Sequence, residues 1–157
     1  EEGRQEGQAD GRQGEALLIF DHHSRAIGWR WPHFSAAEMA SRRDGSLRID
    51  PAFLDWLEEV RAEFGRPMPV SSGYRTPKQQ EVLPGHKRTG AHVAGQAVDV
   101  LVSGARAREL VDIAIRHGVL GLGIAQAPTV PQQSRYLHLD RWSARLGSGR
   151  FPAIWSY

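Results

Sequence analysis

The chain has 157 residues, no cysteine and a formal net charge of +2, with 20 basic residues against 18 acidic ones. The length favours a single domain, and the lack of cysteine excludes disulfides, thiolate zinc fingers, iron–sulfur clusters and a cysteine nucleophile. The nearly balanced charge argues against a nucleic-acid partner, and no apolar run approaches the roughly 20 residues that span a membrane.

The first residues of the chain are polar. Residues 1–14 contain Gly, Gln and charged side chains, with a single Ala as the only apolar side chain. Such a segment cannot bury enough apolar surface to offset the entropy lost on ordering, and it shows no signal-peptide pattern. We therefore predict a flexible polar arm over 1–14 and one folded domain over 15–157, which begins with a short strand or a buried segment at 16–20.

Two helices are predicted from their N-terminal signals. Ser35 and Glu38 have the spacing of a capping box, which predicts a short helix over about 35–42. Asp50 followed by Pro51 is typical of the N-cap and first turn of a helix. The apolar side chains that follow recur at helical spacing and predict a second, longer helix.

Beyond residue 67 the pattern favours short strands, which are predicted at 68–71, 96–102, 119–125 and 136–140. A further turn of helix is expected after Pro77, and a second core helix is expected from Ser103 to His117. The apolar stripe of that core helix is predicted to comprise Ala107, Leu110, Val111, Ala114 and Ile115. The tail, 141–157, is expected to pack as coil over the sheet. The fold predicted is α+β, a small antiparallel sheet with helices packed on one face.

Two polar residues interrupt apolar strands. Asp99 lies in the run AVDVLV, and His138 lies in YLHLD. A buried carboxylate without partners is costly, and side chains along a strand alternate between the two faces. If the leucines of YLHLD face the core, His138 and Asp140 therefore share the opposite face, and Asp99 likewise points away from its valine neighbours.

A third polar residue, His92, lies seven residues before Asp99 and is separated from it by Gly95. The pattern indicates a loop histidine, a glycine that permits close backbone approach, and a strand aspartate. Two histidines and one aspartate would leave an open coordination position, which is typical of catalytic rather than structural zinc. The alternative is that Asp99 binds loop amides and that His92 and His138 are ordinary polar neighbours.

These residues also carry a family resemblance. The relevant segments are FSAAEM at 34–39, SGYRTP at 72–77, HVAGQAVD at 92–99 and YLHLD at 136–140. In this order and spacing they resemble the zinc D-Ala-D-Ala carboxypeptidase family, peptidase family M15, over roughly 33–142.

The resemblance implies roles for individual residues. It implies three zinc ligands, which are His92, Asp99 and His138. Arg75 would bind a substrate carboxylate or stabilise the developing oxyanion, and Ser72 and Tyr74 would shape the same pocket. The implied activity is zinc-dependent hydrolysis of peptide bonds in bacterial peptidoglycan, by a D,D-carboxypeptidase or by an endopeptidase of the stem or cross-link. The expected partner is the stem peptide, and a monomer is expected in the periplasmic or extracellular cell-wall space or delivered by a phage.

The general base is not fixed by the resemblance. Several subgroups carry Glu three residues before the last ligand, where this chain has Arg135, and others carry His two residues before it, where this chain has Tyr136. Asp140 could activate water as the base, could orient a neighbour, or could pair with Arg141 or Arg135. A zinc-containing but inactive domain that binds peptidoglycan or a partner protein is the alternative function.

Overall fold

The computed structural model describes residues 18–20, 29–83 and 88–157, so the predicted arm at 1–14 lies outside the described residues. The described chain is α+β, as predicted. It forms seven strands and four α-helices, which in chain order are β1 (Leu18–Phe20), α1 (Ala36–Met39), β2 (Leu47–Ile49), α2 (Pro51–Phe64), β3 (Val70–Ser72), α3 (Pro77–Glu81), β4 (Ala97–Leu101), α4 (Gly104–Arg116), β5 (Gly121–Ala125), β6 (Tyr136–Asp140) and β7 (Ala153–Ser156).

The predicted helix starts are confirmed. Ser35 and Glu38 form the capping box of α1, in which each side chain bonds the backbone of the other residue. The Asp50 carboxylate accepts a hydrogen bond from the Ala52 amide at 3.0 Å at the start of α2, and Gly65 ends that helix with a left-handed conformation. None of the described helices is long and apolar enough to cross a membrane.

The main sheet has five strands in the order β3-β4-β6-β5-β7. Neighbouring strands are antiparallel except for β5 and β7, which run parallel, so the sheet is mixed rather than purely antiparallel. The prediction of a coil tail was wrong, because residues Ser143–Ser148 form a 3₁₀ helix and Ala153–Ser156 form β7. Strand β7 supplies partners for backbone groups of β5 that would otherwise lie at the sheet edge. Strands β1 and β2 form a separate antiparallel pair. The sequence indicated β1, at 16–20, but it did not predict β2.

Helices α2 and α4 cover one face of the main sheet and enclose a single apolar core. Ala107, Leu110 and Ala114 of α4 are buried as predicted, but Ile115 is 45 % exposed and Ile113 is buried in its place. Each residue of an α-helix is rotated about 100° from the one before it. Ile115, which follows Ala114, therefore faces away from the sheet, whereas Ile113, which precedes it, lies at the edge of the buried stripe.

Candidate active site

Strands β4 and β6 place two of the predicted ligands side by side. Asp99 and His138 are directly opposite each other in the antiparallel register of these strands. Their strand neighbours on the other face, which are Val98, Val100, Leu137 and Leu139, are completely buried in the core. The predicted alternation of faces is therefore confirmed, and the polar residues share the face of the sheet that is opposite the helices.

His92 is delivered to this face by a tight turn before β4. The turn contains Gly95, whose φ of +70° lies in the left-handed region. A Cβ at Gly95 would lie 2.4 Å from the carbonyl oxygen of Arg48, on the neighbouring segment β2. Its own carbonyl accepts a hydrogen bond from the Asp50 amide at 3.1 Å. Only glycine combines a favourable positive φ with the absence of a Cβ, so the close backbone approach predicted from the sequence is confirmed.

The three side chains converge on one point. His92 Nε2 lies 3.1 Å from His138 Nδ1, His138 Nδ1 lies 3.0 Å from Asp99 Oδ1, and His92 Nε2 lies 3.3 Å from Asp99 Oδ1. A tetrahedral zinc ion with ligands at about 2.0–2.1 Å spaces neighbouring ligand atoms about 3.3 Å apart. The triangle formed by these three atoms therefore has the dimensions of one face of a zinc coordination tetrahedron, and the three residues could hold a metal ion.

The remaining ring nitrogen of each histidine has a fixed partner. His92 Nδ1 donates to the carbonyl oxygen of Gly73 at 2.6 Å, and His138 Nε2 lies 2.9 Å from Asp140 Oδ2. Such outer hydrogen bonds set the tautomer and the ring orientation of metal-binding histidines. They leave His92 Nε2 and His138 Nδ1 to face the same point.

Gly73, in the SGYR segment, is placed by close backbone packing. A Cβ on this residue would lie 2.5 Å from the carbonyl oxygen of Met39, at the end of α1. The same carbonyl accepts a hydrogen bond from the Tyr74 amide at 2.8 Å. The absence of a side chain at Gly73 thus lets the segment lie against α1, where its own carbonyl reaches His92.

Arg75 lies beside the Asp99 carboxylate. Its Nη2 donates to Asp99 Oδ2 at 2.6 Å, and its Nε donates to the Ser72 hydroxyl at 2.9 Å. Burial acts to raise the pKa of Asp99, but the adjacent His92 and His138 rings outweigh burial and hold that pKa well below its usual range. Asp99 is therefore ionised at neutral pH, with Oδ2 held by Arg75 and Oδ1 facing the two histidine nitrogens.

The two histidines respond differently to the same surroundings. Burial lowers the pKa of His92 from its ordinary value. Burial acts in the same direction on His138, but hydrogen bonds to Asp140 and Asp99 outweigh it and raise the pKa of that ring. The His138 ring lies between two carboxylates, whereas His92 contacts only one, and the second carboxylate accounts for the opposite direction of the shift.

Asp140 lies behind His138, on the side of the ring opposite the three converging atoms. It is fully buried, and it accepts hydrogen bonds from the Arg145 guanidinium and from the Trp142 amide. Burial acts to raise the pKa of Asp140, but the hydrogen bonds from His138 and Arg145 lower it to about 2. The partner of Asp140 is thus Arg145, whereas Arg141 and Arg135, suggested by the sequence, donate to backbone carbonyls.

A cleft of about 390 Å³ opens onto the histidines. Of the three residues predicted to form this pocket, Arg75 lines the cleft, and Ser72 and Tyr74 do not. The Ser72 hydroxyl accepts a hydrogen bond from Arg75, and the half-buried Tyr74 ring packs against the apolar core. The described residues that line the cleft are Arg75, Gln80, Thr89, Gly90, Ala91, His92, His138, Trp142, Arg145, Trp155 and Tyr157. None of these is an aspartate or a glutamate.

Sequence reasoning missed the contribution of the C-terminal segment, 141–157, to the cleft. Trp155 packs against His138, with ring centroids 5.1 Å apart, and it faces Gly123 in the register of β5 and β7. The sequence signal for this arrangement is that glycine occupies two alternate positions of β5, Gly121 and Gly123. Two glycines at a spacing of two remove side chains from one face of a strand.

The comparison with protein families agrees with the geometry. No curated protein was found to match the chain. The family model described as Peptidase M15 matches residues 32–140, well over half of the chain, and spans all three converging side chains as well as Arg75 and Asp140. The chain therefore belongs to the peptidase M15 family.

Proposed function

We propose that this protein is a zinc-dependent metallopeptidase that hydrolyses peptide bonds in bacterial cell-wall peptidoglycan. The observation that carries the proposal is the convergence of His92 Nε2, His138 Nδ1 and Asp99 Oδ1 within 3.3 Å of one another, beside a cleft. Membership of the peptidase M15 family supports the same activity.

The donor set fits zinc. Two neutral imidazole nitrogens and one carboxylate oxygen are ligands that zinc accepts, and three protein ligands leave a fourth position open for water or substrate. His92, Asp99 and His138 would hold the ion, which when bound supplies Lewis-acid activation of a carbonyl group and of water. The hydrogen bonds to Gly73 and Asp140 keep both rings in the tautomer that binding requires.

Arg75 is proposed to bind the substrate. A guanidinium has five N–H donors, and Arg75 uses two of them on Asp99 and Ser72, with a longer contact of 3.5 Å to Gln80. At least two donors therefore remain on a side chain that lines the cleft. A group that is always charged and rigidly held suits either a substrate carboxylate or the oxyanion that develops during hydrolysis. Ser72 acts by holding Arg75, and the main-chain amide of Tyr74 holds the same segment against the Met39 carbonyl.

The proposed substrate is the peptidoglycan stem peptide. Hydrolysis would remove a terminal D-alanine, as a D,D-carboxypeptidase does, or would cut within the stem or the cross-link, as an endopeptidase does. The site of action follows from the substrate and is the periplasmic or extracellular cell-wall space, reached by export or by phage delivery.

Asp140 is proposed to orient His138 rather than to activate water. Its carboxylate contacts the ring nitrogen that points away from the metal position, and it is fully buried among its partners. A general base must lie within hydrogen-bond reach of the proton that it removes. Because no Asp or Glu is among the described residues lining the cleft, an inactive zinc-holding domain that binds peptidoglycan is the second candidate function.

Digestion of purified muropeptides separates the two candidates. The zinc-loaded protein, the same protein with chelator, and the variant Asp99→Asn would each be incubated with linear and cross-linked muropeptides, and the products would be identified by mass spectrometry. A zinc peptidase yields cleavage only in the first sample, and the products name the bond. Bound zinc and muropeptide binding without cleavage of any substrate would favour the inactive domain.

A further inference from the structure

We propose that Arg145 is a positioning residue for the metal centre, which acts through Asp140 on the orientation of His138. The inference rests on the proposed function, since it assumes that His138 binds a metal. Arg145 belongs to the C-terminal segment, which follows the part of the chain that matches the peptidase M15 family, residues 32–140.

The ion pair between Arg145 and Asp140 has a forked geometry. Arg145 Nε lies 3.0 Å from Asp140 Oδ1, and Arg145 Nη2 lies 2.8 Å from Asp140 Oδ2. Paired N–H donors of this kind fix the plane of a carboxylate as well as its position. The same Oδ2 atom lies 2.9 Å from His138 Nε2, so the guanidinium determines where the partner of the histidine ring lies.

Two tryptophans enclose the guanidinium. Its central carbon lies 5.5 Å from the ring centroid of Trp142 and 5.2 Å from that of Trp155. These distances are in the range of cation–π contacts. Trp155 also packs against the His138 ring, with ring centroids 5.1 Å apart. The same side chain therefore contacts both Arg145 and His138, the first and the last residue of the proposed route.

Strand β5 is shaped to admit this arrangement. A Cβ at Gly121 would lie 2.1 Å from Asp140 Oδ2 and 2.6 Å from Arg145 Nε, and a Cβ at Gly123 would lie 2.9 Å from the Trp155 ring. No other residue type could stand at Gly121 without displacing the ion pair. The glycines thus leave room for a contact between the C-terminal segment and the metal-binding face.

Loss of Arg145 should loosen His138. The Asp140 carboxylate would then keep only the Trp142 amide and the histidine as partners, and nothing would fix its plane. Removal of an outer partner of a metal-binding histidine typically weakens metal affinity about 10–100-fold. Because Arg145 is one contact further from the metal, we expect a loss near the lower bound, about tenfold.

The test measures zinc affinity by competition with a chromogenic chelator for the wild type, Arg145→Gln, Arg145→Lys and the control Arg150→Gln. Arg150 is exposed and lies in the same segment, but its side chain does not touch the site in the structure. We expect about tenfold weaker binding for Arg145→Gln, partial recovery for Arg145→Lys and no change for the control. The visible spectrum of the cobalt-substituted protein should shift in Arg145→Gln, shift less in Arg145→Lys and stay unchanged in Arg150→Gln, a pattern that a merely structural effect would not produce.

A double-mutant cycle with Asp140→Asn tests the route of the effect. If Arg145 acts through Asp140, Arg145→Gln weakens zinc binding in the wild-type background and has little further effect in the Asp140→Asn background. An equal loss in both backgrounds would overturn the proposed route. If Asp140→Asn does not fold, the cobalt spectrum of Arg145→Gln decides instead, and an unchanged spectrum overturns the proposal.

The inference and the proposed function fail in different ways. A wild-type protein that binds no zinc overturns both of them. A wild-type protein that binds zinc, with an unchanged affinity in Arg145→Gln, overturns only the role assigned to Arg145.

Discussion

The two faces of the β4–β6 pair are equally buried but are stabilised in different ways. Leu137 and Leu139 are fully excluded from water on the core face, and Asp99, His138 and Asp140 are at most 5 % exposed on the other face. Burial of apolar surface is favourable whatever the neighbour, whereas each buried polar atom requires a partner. Among the described residues, no buried side-chain nitrogen or oxygen lacks one. The stability of the core face therefore depends on how well the side chains fill its volume, and that of the polar face depends on specific hydrogen-bonded pairs.

The largest expected effect is the loss of a proposed ligand on the polar face. His92→Ala should lower zinc affinity by more than about 100-fold, beyond the loss caused by removing an outer partner. Its melting temperature should fall to that of the metal-free wild type, because metal binding stabilises the fold. Metal analysis and calorimetry measure both effects. The control is His33→Ala, at an exposed histidine that pairs with Glu58, and retention of zinc by His92→Ala would refute the ligand assignment.

The core face should show the opposite response. Leu139→Ala is expected to lower the free energy of unfolding by about 2–5 kcal/mol, through lost burial and a cavity. Zinc affinity at a temperature where the variant is folded should stay unchanged, since the side chain points away from His138. Urea unfolding and chelator competition test the two statements, with Leu139→Met as the volume-matched control. A zinc affinity reduced as strongly as in His92→Ala would contradict the separation of the two faces.

Asp140 gives a pH-dependent prediction for the metal-free protein. Its pKa is lowered to about 2 in the fold, against about 3.9 in an unfolded chain. The ionised carboxylate therefore contributes stability that is fully present above about pH 4 and is lost as the pH falls toward 2. That contribution amounts to about 2–3 kcal/mol.

Urea midpoints measured between pH 7 and pH 2 test this prediction. Asp140→Asn should be less stable than the wild type at neutral pH, and the two midpoints should converge in acid. A difference that is constant over the whole range would mean that the ionised carboxylate is not the source of the stability.

The smallest expected effect concerns β5. Gly123→Ala would bring a Cβ within 2.9 Å of the Trp155 ring. Trp155 is on an edge strand and half-buried, so it can move, and we expect a loss of about 1 kcal/mol, at the lower end for overpacking. A change in tryptophan fluorescence should accompany it. Gly147→Ala, where a Cβ would have nothing within 4 Å, is the control, and identical fluorescence in the two variants would count against the contact.

Much of the polar face could be predicted from the sequence because its determinants are local. Alternation along two short strands placed Asp99 and His138 on one face, and Gly95 indicated a close backbone approach. The capping signals at Ser35 and Asp50 likewise needed only neighbouring residues, and the structure confirms both.

The C-terminal segment could not be predicted in this way. The partner of Asp140 is five residues away, in the 3₁₀ helix at Ser143–Ser148, and the sequence offered Arg141 and Arg135 as equally reasonable partners. The parallel pairing of β7 with β5 depends on a contact between segments that are distant in sequence, which a local residue pattern does not reveal. The glycines at alternate positions of β5 were the one local indication. They indicate that another group packs closely against that face of the strand, but they do not identify the group.

The most direct test of the central claim is a zinc titration of the metal-free protein, followed by the rate of muropeptide cleavage. We predict a rate that rises in proportion to added zinc and becomes constant at about one equivalent, the stoichiometry of a three-ligand catalytic site. His92→Ala should remain inactive at that ratio. Full activity of the metal-free protein, or no cleavage once one equivalent is bound, would contradict a zinc peptidase.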